Sequence, residues 1–147
     1  MKFYLFSLLI AFLLTLIFSF VSLLFSGKKT TKIEEFIIRT KDEFFRIDVN
    51  TIMYAEDASD SVLYHLSDKE EALVCPQTFE DAKYKLKKYP HFISPNDSYI
   101  VNTYHISNIL NSDPPQIVMF NGDTLPMPRE KYCATADALL KYGTGRA

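Results

Sequence analysis

The chain has 147 residues, 48% of them hydrophobic, and a formal net charge of −2. That length holds one domain and a short accessory segment. Phe3 to Gly27 carry no charge, whereas residues 28–147 hold all 18 acidic and 15 of the 16 basic residues, a net −3 that excludes nucleic-acid binding through bulk charge and demands a local basic patch for it. Cys75 and Cys133 lie in no CxxC or Cys/His spacing. They exclude a disulfide framework and a structural zinc site, and both are expected as small buried apolar side chains.

The first element is FYLFSLLIAFLLTLIFSFVSLLF, Phe3 to Phe25. At the helical rise its 23 residues span roughly 35 Å, slightly more than a bilayer's hydrocarbon core. A cleaved signal peptide would have an apolar core of about 7–15 residues followed by small residues. Here the core is longer and ends in LLFSG. An uncleaved anchor is therefore expected over residues 1–27, with a polar linker at 28–33. Lys28, Lys29 and Lys32 outweigh Lys2 and the amino terminus, which places the C-terminal part in the cytoplasm by the positive-inside rule, as a single-pass protein of the cytoplasmic (inner) membrane. Those lysines suit anionic headgroups. Thr15, Ser19, Ser22 and Ser26 share one helix face. Such hydroxyls allow two helices to pack closely, or bond back to their own helix carbonyls.

Short runs rich in β-branched and aromatic residues then recur at close spacing. They are EFIIRT (35–40), FFRIDV (44–49), TIMYAE (51–56), SVLYHL (61–66) and EALVCP (71–76). After a break come SYIVN (98–102), ISNIL (106–110), QIVMF (116–120) and TLPMP (124–128). Turn chemistry separates them, and Asn121-Gly122 between two apolar runs is the strongest hairpin signal. Two segments are predicted as helices. Thr78 caps the first, which puts Phe79, Ala82, Leu86 and Tyr89 on one face and stops at Pro90. The second carries Tyr132, Ala136, Leu139 and Leu140 as a stripe, with Gly143 as C-cap. The fold class is mainly β with short helices, in antiparallel hairpins rather than βαβ units.

Enzymatic chemistry finds no support. His65, His91 and His105 have no carboxylate or cysteine at a ligand spacing, and the chain lacks a Gly-rich phosphate loop, a G-x-S-x-G elbow and H-E-x-x-H. No cofactor is expected. The acidic pairs Glu34-Glu35, Glu56-Asp57 and Glu70-Glu71 read as solvated strand edges and turns.

FISPNDSYIVNTYHISNI (92–109) followed by IVMFNGDTLPMPREKY (117–132) resembles the LytTR domain of bacterial response regulators, over roughly residues 34–142. The SYIVN core and NGDTLPMPR are the most specific pieces, and IMYAED matches in pattern. The resemblance implies consecutive small antiparallel sheets over a domain at 34–147, with loops that enter DNA grooves. It implies Asn102 and Arg129 as base readers, since an amide pairs with adenine and a guanidinium grips guanine, with Asn96, Ser98 and Lys131 as further DNA contacts. This chain departs from the pattern. Ser94, Asn96 and Asp97 stand where the family often has arginine, histidine and a basic or amide residue. Pro128 replaces a serine, and the loop EDASDS (56–61) has Glu56, Asp57 and Asp60 with no basic residue. Each missing basic group removes part of the counterion-release contribution.

The function this implies is a membrane-anchored transcriptional regulator, with double-stranded DNA and the membrane (through residues 3–25) as partners. The alternative is a degenerate interaction module that sequesters or pairs with another regulator at the membrane. A second copy or another regulator is the expected protein partner in either case.

Overall fold

In a computed structural model, residues 2–25 and 32–143 are described, and the chain divides into two units between Lys32 and Ile33. The first unit is a single helix, α1 (Lys2–Phe25). Its stretch Phe3–Ser22, with a mean hydropathy of 2.5, is long and apolar enough to cross a membrane by length and composition. Thr15 donates its hydroxyl to the Phe12 carbonyl at 2.8 Å, the back-bond that satisfies a hydroxyl within its own helix. Ser26, Lys28 and Lys29, and with them most of the linker, lie outside the described residues.

The second unit is built from antiparallel pairings. β1 (Glu35–Arg39) and β2 (Phe44–Asp48) form a hairpin. β3 (Ile52–Asp57), β4 (Val62–Leu66), β5 (Leu73–Cys75), β6 (Phe92–Ile93) and β7 (Tyr99–Asn102) form a five-stranded sheet in the order β5-β4-β3-β7-β6. β8 (Ile106–Leu110), β9 (Gln116–Met119) and β10 (Thr124–Pro126) form a three-stranded meander. These small sheets in succession are the mainly β fold expected. The two-residue strand β6 is an addition that so short an apolar run could not signal.

Alternation along the strands divides the interior in two. On one face of the central sheet Ile52, Ala55, Val62, Tyr64, Leu66 and Ile100 pack with Phe36 and Ile38 of the hairpin and with α2 (Phe79–Leu86). On the other, Met53, Tyr54 and Val101 pack with Ile106, Ile117, Met119, Leu125 and Met127, flanked by α3 (Tyr132–Tyr142). A bulge in β3 between Ile52 and Tyr54 puts Met53 and Tyr54 into the same core, so four consecutive residues are buried. The Tyr54 hydroxyl donates to Asp123 Oδ2 at 2.8 Å and ties the central sheet to the β9–β10 turn. In that turn Gly122 has φ +93°, in the left-handed region that glycine adopts without strain.

Thr78 caps α2 by accepting the Asp81 N–H at 3.2 Å, and the helix ends at Leu86, before Pro90. In α3 the buried face keeps Tyr132 of the expected stripe but is shifted along the rest of the helix. Thr135 is buried and Leu139 packs against the core, whereas Leu140 is 78% exposed. Cys75 is buried as expected, but Cys133 is exposed, because it stands one position off that face.

His91 directly precedes β6 and lies against the rings of Tyr89, Phe92 and Tyr104. It is buried, its ring is stacked parallel on Tyr104 at 4.2 Å, and its Nε2 has no hydrogen-bond partner among the described residues. Burial lowers its pKa below the ordinary 6.5, with His105 acting in the same direction and Glu34 and Asp48 opposing. As pH falls through the ordinary histidine range, the unfolded chain takes up a proton that the folded protein resists. The stability present at neutral pH is then lost on acidification. The melting temperature should fall between neutral pH and about pH 5.5, and much less so in His91→Phe. A variant with the wild-type pH profile would assign the fall to other groups.

Candidate nucleic-acid interface

Four connecting segments of the second unit meet through backbone and side-chain bonds. The Asp57 N–H, where β3 runs into the loop before β4, donates to the Ser98 carbonyl at 2.9 Å. Asn96, in the loop between β6 and β7, donates Nδ2 to the Pro126 carbonyl at the end of β10 at 2.6 Å. The Met127 N–H donates to the Pro115 carbonyl, before β9, at 3.0 Å. Arg129 donates Nη1 to Asn111 Oδ1 and Nη2 to the Ser112 carbonyl at 2.7 Å, both in the loop after β8. Segments 57–61, 94–98, 111–115 and 126–131 therefore form one continuous loop edge.

The expected DNA-binding residues occupy different places on it. Arg129 and Lys131 are exposed, in a single 3-10 turn (Arg129–Lys131) ahead of α3. Ser98 is exposed beside Asp97. Asn96 is half-buried, and its Oδ1 accepts the Ser98 and Tyr99 N–H groups at 2.8 and 3.0 Å while Nδ2 holds Pro126. Its amide thus shapes the loop, as an Asx turn does, and its polar atoms face protein.

Asn102 is not part of the edge at all. It is 0% exposed; Nδ2 donates to the Ile52 carbonyl at 2.9 Å and Oδ1 accepts the Tyr104 N–H at 3.0 Å. The expectation that it reads a base edge is corrected: a side chain with no surface and both ends engaged cannot reach a duplex. It caps the 3-10 turn Thr103–His105 and staples β7 to the start of β3.

The charge of the edge is acidic. Asp57, Asp60, Asp97, Asp113 and Glu130 are exposed on it, against Arg129 and Lys131. In the β3–β4 loop Ser59 adopts φ +68°, and its N–H donates to Asp57 Oδ1 at 3.0 Å. Asp57 thus holds a sharp loop in shape as well as adding charge.

Some partnerships were hidden in the sequence. Glu56 and His65 are nine positions apart, yet β3–β4 pairing brings Glu56 Oε2 to 3.1 Å from His65 Nε2, with the imidazole stacked on Tyr54 at 4.1 Å. Glu56 lies in the expected strand, but it is half-buried and not the solvated edge acid expected. Asn111 and Ser112 are equally unannounced as partners of Arg129. Among the described residues, no group of three His, Cys, Asp or Glu side chains is placed to hold a metal ion.

Among solved structures, the chain is similar to a LytTr DNA-binding domain from Bacillus cereus, described as part of a putative methyl-accepting/DNA response regulator. The two share 20% identity with a TM-score of 0.59, covering 71% of this chain and 95% of that one. At that identity the likeness concerns the fold. Curated proteins give no match. The family model for the LytTr DNA-binding domain matches residues 42–139, which takes in β3 to β10 and the whole loop edge. With about two thirds of its length so matched, the chain belongs to the LytTR DNA-binding domain family.

Proposed function

We propose that this protein is a membrane-anchored transcriptional regulator, held in the inner membrane by its N-terminal helix, whose cytoplasmic domain at 34–147 binds double-stranded DNA through the loop edge. The observation that carries the reading is Arg129. It is exposed, its guanidinium is oriented by Asn111 and Ser112, and Ser98 and Lys131 are exposed on the same edge. Two of its N–H groups are spent on positioning, and the fork retains further donors for a phosphate or a guanine. Asn96 supports this role by fixing the shape of the loop that carries Ser98.

The test is an anisotropy titration of the full-length protein in neutral-lipid nanodiscs against a panel of duplexes at several salt concentrations. Arg129→Ala is expected to weaken binding to a preferred sequence by about 10- to 100-fold, the equivalent of roughly 1–3 kcal/mol for a base contact. Absence of binding to any duplex at low salt would sink the reading. It would favour the second one, in which the domain pairs with another regulator at the membrane. The specific support for that alternative is the excess of carboxylates on the edge, since an acidic surface repels phosphate and suits a basic protein partner.

A further inference from the structure

The acidic loop edge poses a physical problem for the DNA reading, because the phosphate backbone dominates affinity and needs cations. Five exposed carboxylates against two cations give the edge the wrong sign. The cations are elsewhere: Lys83, Lys85, Lys87 and Lys88 place four of the chain's 16 basic residues within six positions, at the C-terminal end of α2. That location suits the helix dipole, and solvation of a polar helix face would by itself explain some of them.

Two of them do more than face solvent. Lys83 and Lys87, one turn apart, line a groove of about 440 Å³ together with Tyr84, Tyr89, Phe92 and Ser94. Ser94 opens the 94–98 loop, so this groove runs into the loop edge. Lys83 is steadied by Glu80 Oε1 at 3.0 Å and lies 5.0 Å from the Phe79 ring centroid. Lys85 is turned to the other flank, where it donates to Gln77 Oε1 at 3.1 Å. Tyr84 is 82% exposed, with a hydroxyl suited to a phosphate oxygen. The stripe Lys83–Lys87–Ser94 thus joins the lysine-bearing end of the helix to the loops, and Glu80, which Lys83 engages, is the one acidic side chain lining the groove.

We propose that the C-terminal half of α2 is the phosphate-binding surface of this domain: duplex DNA read at the loop edge runs on over the groove, where Lys83 and Lys87 neutralise its backbone. This rests on the DNA reading above. The stripe supplies affinity without sequence information, and the loops supply discrimination.

The experiment is the dependence of DNA affinity on salt, measured by anisotropy on full-length protein in neutral-lipid nanodiscs. The K83Q/K87Q double variant should show a logarithmic salt slope shallower by about two, near 0.9 for each phosphate that is no longer neutralised, and its affinity should fall equally across sequences. K85Q should keep the wild-type slope. E80Q, which removes the one carboxylate on the stripe, should bind more tightly. The melting temperature of the double variant should stay near wild type, because exposed ion pairs contribute little to stability. Wild-type binding with an unchanged slope in K83Q/K87Q overturns this proposal and leaves the DNA reading intact. Wild-type protein that binds no duplex overturns both.

Discussion

Asn102→Ala is expected to destabilise the domain by about 2–4 kcal/mol, a large part of the roughly 5–15 kcal/mol that separates folded from unfolded domains. The reason is local. The buried Asn102 amide satisfies two backbone groups: the Ile52 carbonyl in the interior, where β3 begins, and the part-buried Tyr104 N–H in the turn after β7. Alanine leaves both unpaired, at about 1–3 kcal/mol for each buried orphan. Asn102→Asp retains an acceptor for Tyr104 but loses the donor to Ile52 and buries a carboxylate, so it should be no milder. Chemical denaturation followed by circular dichroism measures the change. Any loss of DNA binding in these variants should track the folded fraction. Wild-type stability combined with selective loss of binding would return Asn102 to the role of base reader.

Tyr64→Ala should be costlier still, about 3–5 kcal/mol, as for other large aromatics truncated in a core. Tyr64 is 1% exposed in the middle of β4, and its ring lies 5.9 Å from that of Phe36 at an interplanar angle of 58°. Its hydroxyl accepts from Gln77 Nε2, in the segment that leads into α2. One side chain thus joins the β1–β2 hairpin, the central sheet and the approach to the lysine-bearing helix. Burial, the largest cause, raises the phenol's pKa above its ordinary 10, so it stays a neutral hydroxyl throughout the working range. Tyr64→Phe keeps the ring and loses the hydroxyl, which should cost about 1 kcal/mol. Denaturant midpoints separate the two variants, and amide exchange in β1 and β2 should rise in Tyr64→Ala. A loss below about 1 kcal/mol for the alanine would mean that the hairpin packs independently of Tyr64.

The division of labour among the residues explains why the fold was easier to foresee than the interface. Alternation in SVLYHL and EFIIRT, the Asn121-Gly122 turn and the Thr78 cap act over a few residues, so each is visible in a short window. The β3 bulge is not, because it depends on how β4 pairs against Ile52 and Tyr54. The rotated face of α3 shows the same limit. Leu140 fits a helical stripe by spacing as well as Thr135 fits the actual one, and only the way the helix lies against the Thr103–His105 turn and the second core selects between them.

At the loop edge the match to a family pattern located the right segments but not the direction in which each side chain points. Asn102 and Arg129 both stand at ends of strands or hairpins. One turns inward to cap and staple, and the other turns outward and is braced by Asn111 and Ser112. The lysines of α2 were legible as composition only, since a run of charges does not tell which flank of a helix meets a loop 11 positions downstream, as Lys83 does Ser94.

By itself, then, the sequence determined the apolar N-terminal helix and the β-rich class, because hydrophobic length, period-two alternation and turn chemistry are local properties of the chain, and its SYIVN and NGDTLPMPR segments carried the resemblance to the family. Tertiary structure alone decided that Asn102 is interior, that Arg129 is a braced surface cation, that the edge bearing it is acidic, and that Lys83 and Lys87 line a groove reaching Ser94. Burial and net local charge are sums over segments far apart in sequence, and they acquire values only when β3, β7, α2 and the loop after β8 are brought together.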